Sequence, residues 1–388
     1  MTARVVVLLN SLLVGGAEVF AIDCAAALDR TRFDVSIATL RGDDTWLAGV
    51  IDRAGLARVR LRHRDLARYL ARERVDVLQT HHTYAGVLAR IVGKAALVPA
   101  IVCTEQLVVN ELPTRYRLLN DATIGLADAH VCITEGVRAS LAEEGVWSRR
   151  LPPGDVRVIV NGVDVDKIDR RVAGAGDKRA ELGLRAGDFV IGTAGRLVEQ
   201  KAQKDLIAAL PIVLRDVPAA RVVIAGVGPL EQELRAQAAA LGLADRVRLV
   251  GVRSDVVEVM SVFDVFAFPS IYEGLGVVLL EAAVAGAPIV ATRVRGVTDV
   301  VDDATALLVP PRDPVALAAA IVRVARDREG AKARVVAMRA RVEARFSIAS
   351  AARAYGALYD ELLARPRDST PLMRRVLAGP PSRGRSSG

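Results

Sequence analysis

Short runs of Val, Ile, Leu and Ala, apolar almost throughout, alternate along this chain with longer stretches in which Ala, Leu and Arg recur at helical spacing. The short runs predict strands at 3–10, 33–40, 57–61, 75–80, 99–104, 129–134 and 156–160. A second series follows at 188–194, 220–226, 246–251, 264–269, 288–292 and 306–310. Helical patterns such as AEVFAIDCAAALDR and GPLEQELRAQAAALGL lie between them. Strands apolar on both sides, separated by helices, belong to parallel sheets covered on both faces. Two successive series predict an α/β chain of two doubly wound, Rossmann-like domains in tandem.

The stretch 163–188 is polar, dotted with Gly and free of any strand signal, so the boundary is placed there. The first domain is read as 1–165 and the second as 166–346. A last helical pattern, 347–364, follows the second strand series and is free to cross back to the first domain. The tail, 365–388, combines Pro, Gly and Ser with six Arg and one Asp. It predicts a flexible basic segment.

Composition narrows the class. A chain of 388 residues exceeds one comfortable core, and its apolar half supplies enough side chains for two. Cys24, Cys103 and Cys132 form no CxxC pair and sit in apolar settings, which predicts buried free thiols in a reducing, cytoplasmic compartment. The start, MTARVVVLLNSLLVGGAE, has neither a basic leader nor a cleavage site. No uncharged apolar run reaches the roughly 18 residues of a membrane span; 269–292 comes closest, and Glu281 and Pro288 interrupt it. The net charge of +8 suits anionic partners. No zinc finger, helix-turn-helix or RNA-binding aromatic pattern accompanies it, which leaves phosphorylated substrates or anionic lipid rather than nucleic acid.

In open α/β sheets, ligands bind beyond the carboxyl ends of strands. Four loops stand out there. After strand 3–10, Gly15 and Gly16 precede a helix, where bare backbone N–H groups can approach a phosphate or a sugar; a tight turn explains them equally well. After strand 188–194, GTAGRLVEQK brings Arg196 and Lys201, two cations suited to a diphosphate or to a solvated basic patch. Gly226, Gly228 and Pro229 fit a structural turn. The fourth is PSIYEGLGVVLLEAAVAGAPIVAT, 269–292, an apolar stretch that keeps two acids, Glu273 and Glu281. Glu273 falls in a loop with Gly274, Leu275 and Gly276, whose backbone donors open the next helix. Glu281 falls within that helix, on the one side left unpacked. One acid on each side of a helix start can grip the polar ends of a ligand whose phosphate sits at the dipole; the alternative is two partly exposed surface acids. On the first domain, His81 and His82 follow strand 75–80, and Glu105 and Gln106 end strand 99–104. Adjacent histidines point to opposite sides, so at most one of the pair lines a site.

The spacing Glu273-x7-Glu281 within YEGLGVVLLEAAVAGAPIVAT resembles the EX7E motif of the retaining GT-B glycosyltransferases, specifically glycosyltransferase family 4. GGAE (15–18), VIVNGVD (158–164), GRLVEQK (195–201), VIAGVGPL (223–230) and GVTDVVDDATALLVPPRD (296–313) resemble that family's blocks in order and spacing. The resemblance runs from residue 1 to about 364. It implies a GT-B fold, two Rossmann-like domains facing across a cleft. It implies a UDP- or GDP-linked sugar as donor, held mainly by the second domain, and no cofactor and no metal. By position, Arg196 and Lys201 would hold the diphosphate, Glu281 the ribose and Glu273 the sugar. Gly15 and Gly16 would approach the phosphates, and the base would lie near Val252 and Arg253. Arg196, Lys201 and Glu273 would be the catalytic set. His81, His82, Glu105 and Gln106 would stand on the acceptor side, with a saccharide, lipid-linked or small-molecule acceptor in cell-envelope or exopolysaccharide synthesis. With the basic tail, Arg30, Arg32, Arg62 and Arg64 would support peripheral contact with anionic membrane. Gln106 stands where many relatives carry His, Asp299 replaces a frequent Glu, and Ala306 a common Gly. Two rivals stay open at this point, a GT-B sugar-nucleotide epimerase and a non-catalytic sugar-nucleotide-binding member.

Overall fold

The computed structural model describes residues 2–12, 15–41, 46–81, 83–106, 114–143 and 156–365. It contains strands in all thirteen predicted places. In chain order they are β1 (Ala3–Leu9), β2 (Phe33–Thr39), β3 (Ala57–Arg60), β4 (Val77–Thr80), β5 (Ala100–Glu105), β6 (Ala129–Cys132) and β7 (Val156–Val158). The second series is β8 (Phe189–Ala194), β9 (Ala220–Ala225), β10 (Val247–Leu249), β11 (Val265–Phe268), β12 (Ile289–Thr292) and β13 (Leu307–Val309). The chain divides into two compact units: one takes in the chain up to Asn161 and again from Ile348, the other is Gly162–Ser347.

The first unit is built on a seven-stranded sheet in the order β3-β2-β1-β4-β5-β6-β7. Every pairing is parallel. Strand β1 shows why a continuous apolar run suits such a sheet. Val5, Val7 and Leu9 enter the core on one face, with Phe20, Ile22 and Phe33. Val6 and Leu8 enter the core on the other, with Leu66, Leu70 and Leu78. The period-two alternation of a strand divides one hydrophobic run between two buried layers.

The last helix, Ile348–Ala364, belongs to this unit. It buries Ile348, Ala351, Ala352, Tyr355, Leu358, Tyr359 and Leu362, a three-four spacing that makes one apolar stripe. That stripe packs in the layer of Phe20 and Phe33, beside the helix Gly16–Ala27. Its two tyrosines are fully enclosed, so each hydroxyl needs a partner. Tyr355 Oη lies 3.0 Å from Thr104 Oγ1, and Tyr359 donates to Gln79 Oε1. Cys24, Cys103 and Cys132 are buried free thiols; burial pushes all three thiols up.

The second unit has a six-stranded parallel sheet in the order β10-β9-β8-β11-β12-β13. Ile191, Val222, Ile224, Val265 and Val290 pack with Leu206, Leu210, Leu317 and Ile321 in its core. The polar stretch 163–188 is part of this unit and folds as two short helices, Val165–Ala173 and Lys178–Glu181. Asp164 and Asp177 cap them by accepting from the backbone N–H groups of Lys167 and Ala180. Arg171 fastens the first by a fork onto Glu258, at 2.9 and 2.7 Å. The break between units falls ahead of the polar stretch because that stretch is fastened to the second unit, by ion pairs such as Arg171–Glu258 and by the buried side chains of Ile168, Leu182 and Leu184.

Candidate functional site

In each sheet the strand order reverses once, between β1 and β4 and between β8 and β11. Loops that leave adjacent strands in opposite directions open a crevice at such a point. Several of the predicted residues follow the strands at these two points, while Val252 and Arg253 follow the edge strand β10.

In the second unit, Arg196 and Lys201 follow β8, and Glu273 follows the neighbouring β11. A short 3₁₀ turn, Glu199–Lys201, ends on Ala202, which has a left-handed φ of 47°. The turn is tied to the loop after β11: Ile271 N–H donates to Gln200 O at 2.8 Å, and Gln200 Nε2 donates to Tyr272 O at 3.0 Å. These ties bring Lys201 Nζ to 2.5 Å from Glu273 Oε1. Both side chains are largely removed from solvent, at 16% and 6% exposure, so the charges meet in a medium that strengthens their attraction. The Phe268 ring, at the end of β11, presents its face to the same ammonium with the centroid at 5.1 Å.

The helix Val277–Val284 starts on Gly276, whose φ of 78° is open to glycine without strain. Leu279, Leu280, Ala282, Ala283 and Val284 are buried, while Val277, Val278 and Glu281 stay half-buried. Glu281 therefore lies on the one ridge of this helix that is not packed away, as its apolar surroundings predicted. Arg196 is exposed, and its backbone carbonyl accepts from Gln203 Nε2 at 2.9 Å. The turn at Gly226–Gly228 is joined to the Arg196 loop by Gly195 N–H to Ala225 O and Leu197 N–H to Val227 O, each 2.9 Å. Val252 is exposed just past β10. Arg253 is committed elsewhere: it donates to Asp255 at 2.6 Å and to Glu181, and Lys178 reaches the same Asp255 at 2.7 Å. These cations hold the Asp255 carboxyl down at about 2.

In the first unit, Gly15 and Gly16 stand at the start of the helix Gly16–Ala27, after β1. His81 follows β4, across the reversal, but it is 1% exposed. Its two ring nitrogens face carboxamides, Gln79 Nε2 at 2.9 Å and Gln106 Nε2 at 3.1 Å, and Gln106 Oε1 faces Asn161 Nδ2 at 3.0 Å. A neutral imidazole has one N–H, so one carboxamide turns its oxygen to the ring. Asn161 Oδ1 is buried and unbonded. Turning Gln106 and Asn161 together therefore lets His81 Nδ1–H donate to Gln106 and Gln106 donate to Asn161. Expected beside an acceptor, His81 is instead an enclosed support for Gln106. Glu105 is also buried, 3.5 Å from His130 Nδ1. His82 lies outside the described residues, as do residues 366–388 of the basic tail. The sequence reading missed Gln79, Asn161 and Phe268. Asn161 lay within the quoted VIVNGVD block and Phe268 at a strand end before Pro269, and no local pattern marked either as part of a site.

Two parallel doubly wound sheets are the architecture of the GT-B glycosyltransferases, and the comparisons with known proteins place the chain among them. The description "Glycosyltransferase Family 4" matches residues 14–167, and "Glycosyl transferases group 1" matches 175–341. The chain belongs to glycosyltransferase family 4. It is 28% identical over 273 residues to the UDP-Gal:alpha-D-GlcNAc-diphosphoundecaprenol alpha-1,3-galactosyltransferase of Escherichia coli, covering 68% of this chain and 70% of that one. It is 38% identical over 185 residues to the D-inositol 3-phosphate glycosyltransferase of Saccharomonospora viridis, covering 45% and 42%. The chain thus spans under half the length of the second relative. HepE of Anabaena, solved with UDP and glucose, shares the fold with a TM-score of 0.80 at 21% identity, over 92% of this chain and all of that one. The E. coli and Saccharomonospora relatives and both family descriptions carry glycosyltransferase names, so the epimerase and non-catalytic readings lose their footing. Among the described residues, no helix is long and apolar enough to cross a membrane.

Proposed function

We propose that this enzyme moves a sugar from a nucleoside-diphosphate donor to a saccharide, lipid-linked or small-molecule acceptor, with retention of anomeric configuration. The observation that carries the reading is the meeting of Lys201 and Glu273 at the reversal of the second sheet, with Glu281 on the open ridge of the next helix. In this reading the second unit holds the donor, a UDP- or GDP-linked sugar, and the first unit serves the acceptor. Arg196 and Lys201 take the diphosphate, Glu281 the ribose and Glu273 the sugar. The backbone at Gly274–Gly276 supplies N–H donors, and Val252 lies along the base.

The mechanism follows the charges. The bond from the anomeric carbon to the diphosphate oxygen breaks, and negative charge grows on the leaving group. Arg196 and Lys201 stabilise that charge as it forms. The acceptor hydroxyl attacks from the same face and passes its proton to the departing phosphate oxygen, so the new C–O bond keeps the old configuration. The two acids are not an acid/base pair of the glycosidase kind; they bind. On the acceptor side, Gln106, held by His81 and Asn161, offers a carboxamide.

Names of the relatives point to lipid-linked acceptors in cell-envelope synthesis. Peripheral contact with anionic membrane belongs to this reading. Arg62 and Arg64 are exposed on the first unit, and Ile91, Leu118 and Leu119 add exposed apolar surface on its helices. Co-sedimentation with anionic liposomes, with and without residues 365–388, tests that part. The enzymatic part is tested by incubating the protein with nucleotide sugars, with and without acceptor extracts. A glycosyltransferase releases nucleoside diphosphate and gains rate with acceptor. Interconversion of donors without acceptor, or no release at all, contradicts the proposal.

A further inference from the structure

The ion pair of Lys201 with Glu273 has a consequence for the nucleoside diphosphate left after transfer, and it rests on the functional reading above. Lys201 has one positive charge to offer an anion. Glu273 already takes part of it at 2.5 Å, in surroundings where neither side chain is well solvated. The carboxylate does two things to an incoming diphosphate. It competes for the ammonium protons, and its own negative charge opposes a second anion close by. The ring face of Phe268 lies over the same ammonium, with its centroid at 5.1 Å, and favours the charged lysine beside Glu273.

We propose that Glu273 acts as an affinity brake on the free nucleoside diphosphate. A donor still carrying its sugar offsets the brake, because Glu273 then accepts hydrogen bonds from sugar hydroxyls. Once the sugar has gone, that compensation is lost and the repulsion remains. The brake favours intact donor over spent nucleotide and speeds release of the product.

The test titrates free UDP and free GDP into the full chain by calorimetry, in wild type and in Glu273→Gln, Glu273→Asp and Lys201→Met. Removing the carboxylate charge while keeping its shape should tighten binding of whichever diphosphate the wild type takes by about tenfold, the scale of one charge-assisted hydrogen bond. Glu273→Asp, which keeps the charge, should stay closer to wild type. Product inhibition of Glu273→Gln by the same diphosphate should strengthen in parallel, and a merely structural role would not produce that tightening. Thermal melts confirm that the variants fold. Unchanged or weaker diphosphate binding in a folded Glu273→Gln overturns the brake, while loss of binding in Lys201→Met would leave the functional reading standing. A wild type that binds neither nucleotide overturns that reading and the brake with it.

Discussion

The α-carbon of Gly296 packs directly against the backbone carbonyl of Glu273: a Cβ at position 296 would fall 2.2 Å from that oxygen. Gly296 also has a φ of 85° and is buried. The backbone position of the acid that pairs with Lys201 is therefore set from behind, by a loop after β12. Gly296→Ala should cost about 1–3 kcal/mol, through overpacking and a strained backbone. The same change should displace Glu273 and weaken donor binding. A thermal melt and a donor titration on the same preparation check both effects.

Glu281 and Lys201 should separate in steady-state kinetics. Glu281 binds a part of the donor that does not change during transfer, so Glu281→Ala should raise KM for the donor more than it lowers kcat. Lys201 meets charge that grows in the transition state, so Lys201→Ala should lower kcat by on the order of 100-fold or more. Wild-type rates in both variants would discredit the assignment.

Asp255 links Lys178 and Arg253, and so joins the helix Lys178–Glu181 to the segment after β10. Its pKa is lowered from 3.8 to about 2, chiefly by the Arg253 hydrogen bonds. A depressed carboxyl adds stability above its unfolded value, and the contribution is lost as pH falls through its folded value. Asp255→Asn should therefore lower stability at pH 7 by about 1 kcal/mol, after allowance for partial solvent screening. The difference from wild type should narrow between pH 3.8 and pH 2. Urea melts across that range provide the measurement, and a gap that stays constant with pH would count against the charge explanation.

Tyr359 anchors the last helix of the first unit to Gln79 on β4. Tyr359→Phe keeps the packing and leaves the Gln79 carboxamide short of a partner in a buried place. The cost should be about 1–3 kcal/mol. Gln79 also meets His81, so the change should propagate to the Gln106 carboxamide and reduce acceptor affinity more than donor affinity. Comparing KM for each substrate tests whether the Gln79–His81–Gln106 chain supports the acceptor side.

The central strands were legible because each is an apolar run bounded by helical pattern and buried on both faces, while the edge strands β3, β7 and β10, with an Arg in each, showed only as short Val-bearing runs. Glu273 and Glu281 were legible for the opposite reason, as charges inside apolar sequence. Their partners were not. Lys201 and Glu273 are 72 residues apart, and their contact depends on β8 lying beside β11, which local patterns do not encode. The support of Gln106 by His81 and Asn161 was hidden for the same reason: it joins the ends of β4 and β5 to a segment beyond β7. The stretch 163–188 reads as a linker because few apolar residues attach it, Ile168, Leu182 and Leu184 among them, and ion pairs such as Arg171–Glu258 supply the rest without a hydrophobic period.

The most direct test of the account is a thermal-shift series with UDP-glucose, GDP-mannose and ADP-glucose on wild type and Lys201→Ala. The account predicts that a UDP- or GDP-sugar raises the melting temperature of the wild type and fails to raise that of the variant. No shift with any nucleotide sugar, or an equal shift in both proteins, would contradict a donor diphosphate bound at Lys201.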